Sequence, residues 1–205
     1  MGRRRLTQEQ RKQETRHLLI ESAIEIFAQL GFHGASVDKI AEHAGFSKGA
    51  VYAHFKSKEE LFLAILERQM QLQVDNIRQV IERQHSISQF IDAMDACFGS
   101  VKKRNRTWNM LYIEFLLYAM REEAVRHQWS RMLTESVTQI SGSIKQLMSR
   151  EKDGTALSAD DIAWTILSLE NGLAIFSYIG DESMPPPIYI RRLLIICCCP
   201  FRRSK

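Results

Sequence analysis

Apolar residues recur at helical spacing along most of this chain, and that rhythm restricts its fold more than any other feature. Leu19, Ala23, Phe27 and Leu30, with Ile20 and Ile26 beside them, repeat at the interval of one helical face. The interval returns in Leu61, Phe62, Ile65 and Leu66, in Phe90, Ile91, Met94 and Phe98, and in Trp129, Leu133, Val137, Ile140, Ile144 and Leu147. No run of strand length alternates polar with apolar residues between hairpin turns, and no segment of domain-repeat length recurs. Ten Gly and four Pro among 205 residues leave few sites for tight turns, while 45% hydrophobic residues supply a sizeable core. The pattern predicts an all-α fold.

Glycines and capping residues cut the pattern into helices. Gly31 ends the first, which starts near Arg11, and Gly31 and Gly34 flank Phe32 and His33 as a tight connection. A serine hydroxyl that accepts a first-turn N–H marks a helix start. Ser36 fits that role ahead of Val37, Ile40, Ala41 and Ala44, and Ser47 fits it ahead of a short helix from Lys48 to His54. Gly45 stops the earlier of the two. Ser57-Lys-Glu-Glu60 matches a capping box, with Glu60 reaching back to the Ser57 N–H, and predicts a long helix to about Gln84. Further helices are expected up to Gly99, from Trp108 to Met120, and through Trp129 to Leu147 before a break at Lys152-Asp-Gly154. Ser158 with Asp160 and Asp161 begins another, Ile162 to Ile179, and Pro185-Pro-Pro187 precedes a last helix near Ile188.

The formal charge of +4 is unevenly spread. Residues 1 to 16 carry net +4, residues 191 to 205 carry +5, and taking both ends from the total leaves −5 on the body between them. That excludes a surface coated uniformly for nucleic acid or membrane, but leaves a basic arm able to serve a DNA-binding unit directly after it. No stretch approaches the roughly 18 apolar residues that span a bilayer. Met1-Gly-Arg-Arg-Arg runs into polar residues, so a cytoplasmic protein is expected. Cys97 stands alone, and Cys197, Cys198 and Cys199 are contiguous, which gives neither a disulfide framework nor zinc-ligand spacing.

Two short helices joined through Gly45 make a helix-turn-helix, whose second helix enters the major groove. Gly49, Ala50 and Ala53 keep that helix slim, Lys48, Tyr52 and His54 project toward phosphates, and Val51 and Phe55 face inward. Lys58 sits at the start of the fourth helix, where free N–H groups favour phosphate. Residues 15 to 63 resemble the N-terminal domain of TetR-type transcriptional repressors. The shared residues are Thr15-Arg16, Ala23, Phe27, Gly31-Phe32, Ser36-Val37, Ile40-Ala41, Ala44-Gly45, Ser47-Lys-Gly49, Tyr52-Ala-His-Phe55 and Ser57-Lys-Glu-Glu-Leu61. The resemblance implies a DNA-binding domain over residues 1–57 and a helical ligand-binding and dimerisation domain over 58–205. It also implies phosphate contacts from Tyr52, His54 and Lys58, groove contacts from Lys48, Gly49 and Ala50, and a place for Ser36 at the DNA. The expected partners are a palindromic double-stranded operator, a small-molecule effector and a second copy of the chain.

Beyond about residue 70 the resemblance is one of helical layout only. A cavity among bundle helices is lined by large apolar residues with a few polar groups added, which makes Trp108, Tyr112, Glu114, Phe115 and Asn171 the ligand candidates, with Glu114 suited to a cation. An apolar cavity of this kind selects hydrophobic or aromatic compounds. The bland counterpart is that this stripe is ordinary core and Glu114 an exposed helix residue. His17, His33, His43, His54, His85 and His127 lack metal-ligand spacing, no phosphate-binding Gly loop or nucleophile elbow occurs, and Cys97 has no adjacent base. The reading is therefore a ligand-responsive repressor without cofactor or catalysis. Its rivals are a helical small-molecule-binding protein with no DNA role and a helical enzyme using Cys97 or a buried carboxylate. The change of composition from Ile188–Ile196 to Cys197-Cys-Cys-Pro-Phe-Arg-Arg-Ser-Lys205 reads as an altered terminus or an unstructured tail.

Overall fold

The computed structural model describes residues 7–101, 106–150 and 157–179. They form eight helices: α1 (Gln8–Gly34), α2 (Val37–Ala44), α3 (Lys48–Tyr52), α4 (Lys58–Glu82), α5 (Ile87–Val101), α6 (Arg106–Arg121), α7 (Glu123–Met148) and α8 (Ala159–Ile179). No strand occurs among the described residues, so the fold is all-α as the periodicity predicts. The break at Lys152-Asp-Gly154, the helix near Ile188, the Cys197–Cys199 run and Arg3 to Arg5 lie outside the described residues, as does the side chain of Cys97.

Contacts divide the chain into two compact units, the first made of Met1–Gln69 and Met110–Trp129 and the second of Met70–Asn109 and Ser130–Lys205. The first unit takes in residues 58–69 and 110–129 beside those up to residue 57, and aromatic rings from both stretches pack with α1. In the first unit Phe32 of α1 meets Phe62 of α4 edge-on at 5.4 Å and Phe115 of α6 at 5.0 Å, while Phe62 and Phe115 stack at 4.1 Å. Edge-to-face and stacked pairs add about 0.5–1.5 kcal/mol each beyond the burial of their area. Residues from α4 and α6 thus complete the core that α1 begins. The second unit buries Ile77 and Ile81 of α4, Phe90 and Met94 of α5, Ile140 and Ile144 of α7 and Ile162 and Ile166 of α8 around one apolar cluster.

α1 starts earlier than its apolar stripe. Thr7 Oγ1 accepts from the Gln10 amide at 3.2 Å and Gln10 Oε1 accepts from the Thr7 amide at 2.9 Å, a reciprocal cap that adds a turn before Arg11. Its other end is sharply bent. Gly31 adopts φ 72°, ψ 171°, a conformation that side chains with a Cβ rarely take, and so Phe32 turns inward while His33 stays outside. The bend exposes backbone donors, and a carboxylate answers them: Glu114 of α6 accepts from the Phe32 amide at 3.0 Å and the His33 amide at 3.1 Å. A Cβ on Gly31 would stand 2.9 Å from Glu114 Oε2, so the residue is constrained by its dihedral and by this close approach together.

Gly31→Ala is therefore expected to lower the unfolding free energy by about 1–3 kcal/mol, read from urea denaturation. Glu114→Ala is expected to cost about 1.5–3 kcal/mol, the range for hydrogen bonds to a charged group. Values within about 0.5 kcal/mol of the parent for both would show that the bend needs neither constraint.

Candidate nucleic-acid interface

The helix-turn-helix is held by its own caps. Ser36 Oγ accepts from the Lys39 amide at 3.3 Å, which starts α2. At its end the Gly45 amide donates to the Glu42 carbonyl at 3.1 Å and the Phe46 amide to the Ala41 carbonyl at 2.9 Å. Gly45 takes φ 72°, ψ 25°, the left-handed conformation that this paired closure requires. Ser47 Oγ then accepts from the Ala50 amide at 3.2 Å and starts α3, which ends at Tyr52, short of the expected His54. Beyond it the His54 amide still donates to the Val51 carbonyl at 2.9 Å, so the chain remains in a tight turn. Ser57 caps α4, but Glu60 reaches one residue past the expected partner, to the Lys56 amide at 2.6 Å.

α3 has one buried edge. Val51 and Phe55 are buried as expected, and Lys48, Gly49, Tyr52 and Ala53 are exposed, with Ala50 and His54 intermediate. A Cβ built on Gly49 meets only Ser47 Oγ, at 3.7 Å, so the fold itself does not demand glycine there. Tyr52 is 48% exposed, which leaves its ring and hydroxyl at the surface. Lys48 Nζ pairs with Asp38 Oδ2 at 2.8 Å and links α3 to α2. The Asp38 hydrogen bond, then its charge, raise the Lys48 pKa; exposed as it is, the pair adds little stability.

Two basic residues of α1 converge on the same end. His54 is held below its ordinary pKa of 6.5 first by burial and then by the charges of Lys12 and Arg16, and the Arg16 guanidinium lies 5.0 Å from the centroid of the Phe55 ring. The sequence shows Lys12 and Arg16 as part of a basic segment, and the fold brings their charges to bear on His54. Lys58 is arranged differently from an outward-facing phosphate ligand. Its ammonium donates to the Phe32 carbonyl at 2.7 Å and the Ala35 carbonyl at 3.1 Å and lies 4.5 Å from the centroid of the Phe32 ring. An ammonium has three donors, and two of them already serve the α1–α2 connection.

The ligand candidates fall in both units. In the first, Glu114 is committed to the amides of Phe32 and His33, a partner set that replaces the expected cation and removes it from the exposed face. Phe115 is fully buried against Phe32, Phe62 and Trp129, as core. Tyr112 packs edge-on against Trp129 at 5.2 Å, and burial pushes its phenol up to about 12. In the second unit Trp108 is half-buried, and Asn171 donates to the Leu167 carbonyl of its own helix at 2.8 Å. Sequence reasoning passed over Glu170, buried on α8, which accepts from Gln73 Nε2 at 2.5 Å. Nothing in an apolar helix pattern marks which carboxylate turns inward. Among the described residues no group of three His, Cys, Asp or Glu is arranged to hold a metal, and no helix is long and apolar enough to cross a membrane.

A capped helix pair, a slim second helix with Tyr52 exposed, and basic residues gathered at one end define a helix-turn-helix DNA-binding unit. Residues 19–65 match the family model described as bacterial regulatory proteins, tetR family. The regulator UidR of Escherichia coli K12 is 30% identical over 148 residues, covering 72% of this chain and 71% of UidR. FasR of Mycolicibacterium smegmatis, named a transcriptional activator, is 34% identical over 102 residues, 49% of this chain, and the match spans only 47% of that relative's length. The solved structure of Salmonella enterica GusR superposes with a TM-score of 0.71 at 18% identity, covering 95% of this chain and 99% of that one. Bacillus subtilis FadR, solved in complex with stearoyl-CoA, gives a TM-score of 0.64 at 15% identity over 88% of this chain and 95% of FadR. The chain belongs to the TetR family of transcriptional regulators, and it is a DNA-binding regulator, not an enzyme.

Burial, Lys12 and Arg16 hold the His54 pKa below 6.5, so a DNA phosphate placed beside the ring would oppose them and DNA binding would then take up a proton. Operator affinity is expected to rise as pH falls from about 7.5 through the imidazole range to about 5.5, and His54→Gln to flatten that rise. Equal pH dependence in parent and variant, measured by fluorescence anisotropy, would place His54 away from phosphate.

Proposed function

We propose that the protein is a homodimeric repressor that releases a palindromic operator when a small, mainly apolar molecule binds behind its DNA-binding unit. The observation that carries the DNA half of this reading is Gly49 on the exposed side of α3, a position where packing leaves room for a side chain and none is present. Close approach of a backbone to base edges explains that economy of bulk. Ser36, Lys48, Gly49, Ala50, Tyr52 and His54 form the proposed contact set, with Lys12 and Arg16 added to it. Lys58 acts in this reading mainly by fixing the α1–α2 connection, with one donor left for phosphate. Residues 1–57 remain the proposed DNA-binding segment and 58–205 the segment for effector and partner, although the core under α1 draws on α4 and α6.

Dimerisation is supported by α8, where Trp164 and Phe176 stay exposed at 46% and 59%, an apolar surface that association covers. Effector binding is supported by the complex of the structurally similar FadR with stearoyl-CoA, and by the aromatic surroundings of Tyr112. Release follows if the effector favours an arrangement in which two recognition helices no longer match successive major grooves. Function in the cytoplasm is part of the same reading.

Selection from random double-stranded DNA tests it. The enriched site is expected to be a palindrome with half-sites about 10 base pairs apart, bound by a dimer. Gly49→Glu should enrich nothing while its unfolding free energy stays within about 0.5 kcal/mol of the parent. An asymmetric single half-site, or unimpaired selection by Gly49→Glu, would contradict the reading. Transcription from the selected site separates repression from the activation named for FasR.

A further inference from the structure

The aromatic core of the first unit contains one polar atom that the fold leaves unanswered. Trp129 is 3% exposed, and its indole Nε1 has no hydrogen-bond partner. Buried indole N–H groups ordinarily find an acceptor, and an unmet buried donor costs about 1–3 kcal/mol. The residue stands near the start of α7 with Tyr112 edge-on at 5.2 Å and Phe115 roughly parallel at 5.7 Å, both from α6. Tyr112 brings a phenol ring, with its hydroxyl, to the same place, and burial raises its pKa. Aromatic walls with an unmet donor are the composition of a ligand site, in which a few polar groups orient an otherwise apolar guest.

The geometry points to Trp129 and Tyr112 as a binding site for a neutral aromatic compound that carries a carbonyl oxygen, with the Trp129 indole N–H donating to that oxygen. This rests on the effector-responsive reading above and names the chemistry that the effector presents. An indole N–H only donates, so the guest must offer an acceptor. The acceptor is neutral, because a carboxylate among aromatic rings is desolvated at a cost of several kcal/mol that one or two neutral donors do not offset. Glu114, two residues from Tyr112 in sequence, is engaged with the α1 amides and presents no competing acceptor.

The site also has a short route to the DNA-binding unit. Phe115 packs on Trp129 and equally on Phe62 and Phe32, and Phe32 carries the Lys58 ammonium above its ring and the Glu114 carboxylate on its amide. A guest that displaces the Trp129 ring presses on Phe115, which lies directly against the bend of α1.

The test uses the full chain labelled with 15N-tryptophan, whose three indole signals are assigned with Trp129→Phe. Acetophenone and 2-acetylnaphthalene are titrated against ethylbenzene and 2-ethylnaphthalene, hydrocarbons of matching shape. The ketones are expected to move the Trp129 indole proton downfield in a saturable way, and the hydrocarbons to bind about tenfold or more weaker without that shift. Trp129→Phe should remove the ketone preference and leave hydrocarbon binding unchanged, which a merely structural role would not do. Equal affinity for ketone and hydrocarbon, an unchanged preference in Trp129→Phe, absence of binding by all four probes, or an indole proton already hydrogen-bonded to water in the free protein would each overturn the site. Operator release is read separately. A ketone that saturates Trp129 without releasing DNA leaves the site standing and removes the effector-responsive reading, whereas release by another compound with an unmoved Trp129 signal does the opposite.

Discussion

The contact on which the first unit depends is the Glu114 carboxylate seated on the Phe32 and His33 amides. Gly31 bends α1 so that Phe32 enters the core, but a bend in a helix strands backbone donors, and stranded donors near a core are costly. Glu114 resolves that problem from another helix, 82 residues along from Phe32. Lys58 completes it on the opposite polarity by holding the Phe32 and Ala35 carbonyls. One short peptide segment therefore receives a carboxylate on its N–H groups and an ammonium on its C=O groups. The position of α2 and α3 follows, since both hang from Ala35 onward.

This arrangement explains why the contact-defined unit does not stop where the helix-turn-helix does. Helices α1 to α3 and the turn after them contribute Phe27, Ile40, Val51 and Phe55 to the core of the first unit, and the rings of Phe62 and Phe115 enlarge that core. A recognition helix of five residues has little intrinsic stability, because helix nucleation is unfavourable and short helices rely on packing. Its caps at Ser47, the closure at Gly45 and the buried side chains of Val51 and Phe55 supply what propensity cannot. In the proposed reading a short helix carrying the small residues Gly49, Ala50 and Ala53 suits close approach to a groove.

Much of this was legible in the sequence. Gly31 and Gly45 marked helix breaks that take positive φ, Ser36, Ser47 and Ser158 marked caps that the structure forms, and the apolar stripes located most of the described helices to within a few residues. Those features are local, written in neighbours three or four residues apart. Thr7 and Gln10 carried the same kind of local signal for the start of α1, and the apolar rhythm from Leu19 onward obscured it. What the sequence concealed depends on distant partners. Glu114 looked like a ligand group because nothing nearby in the chain shows that its partners are two amides of α1. Lys58 looked like a free phosphate ligand for the same reason. Trp129 read as one more residue of a helical stripe, since a periodic pattern shows that a ring is buried but not whether its N–H is satisfied.

Amide hydrogen exchange at Phe32 and His33 in the DNA-free protein tests the central contact most directly. Both amides are predicted to exchange as slowly as the buried amides of α1 around Ala23 and Phe27, and to become much faster in Glu114→Ala while the Ala23 and Phe27 amides keep most of their protection. Exchange at the rate of an open loop in the parent protein, or rates unchanged by Glu114→Ala, would contradict the account of how α6 fixes the bend of α1.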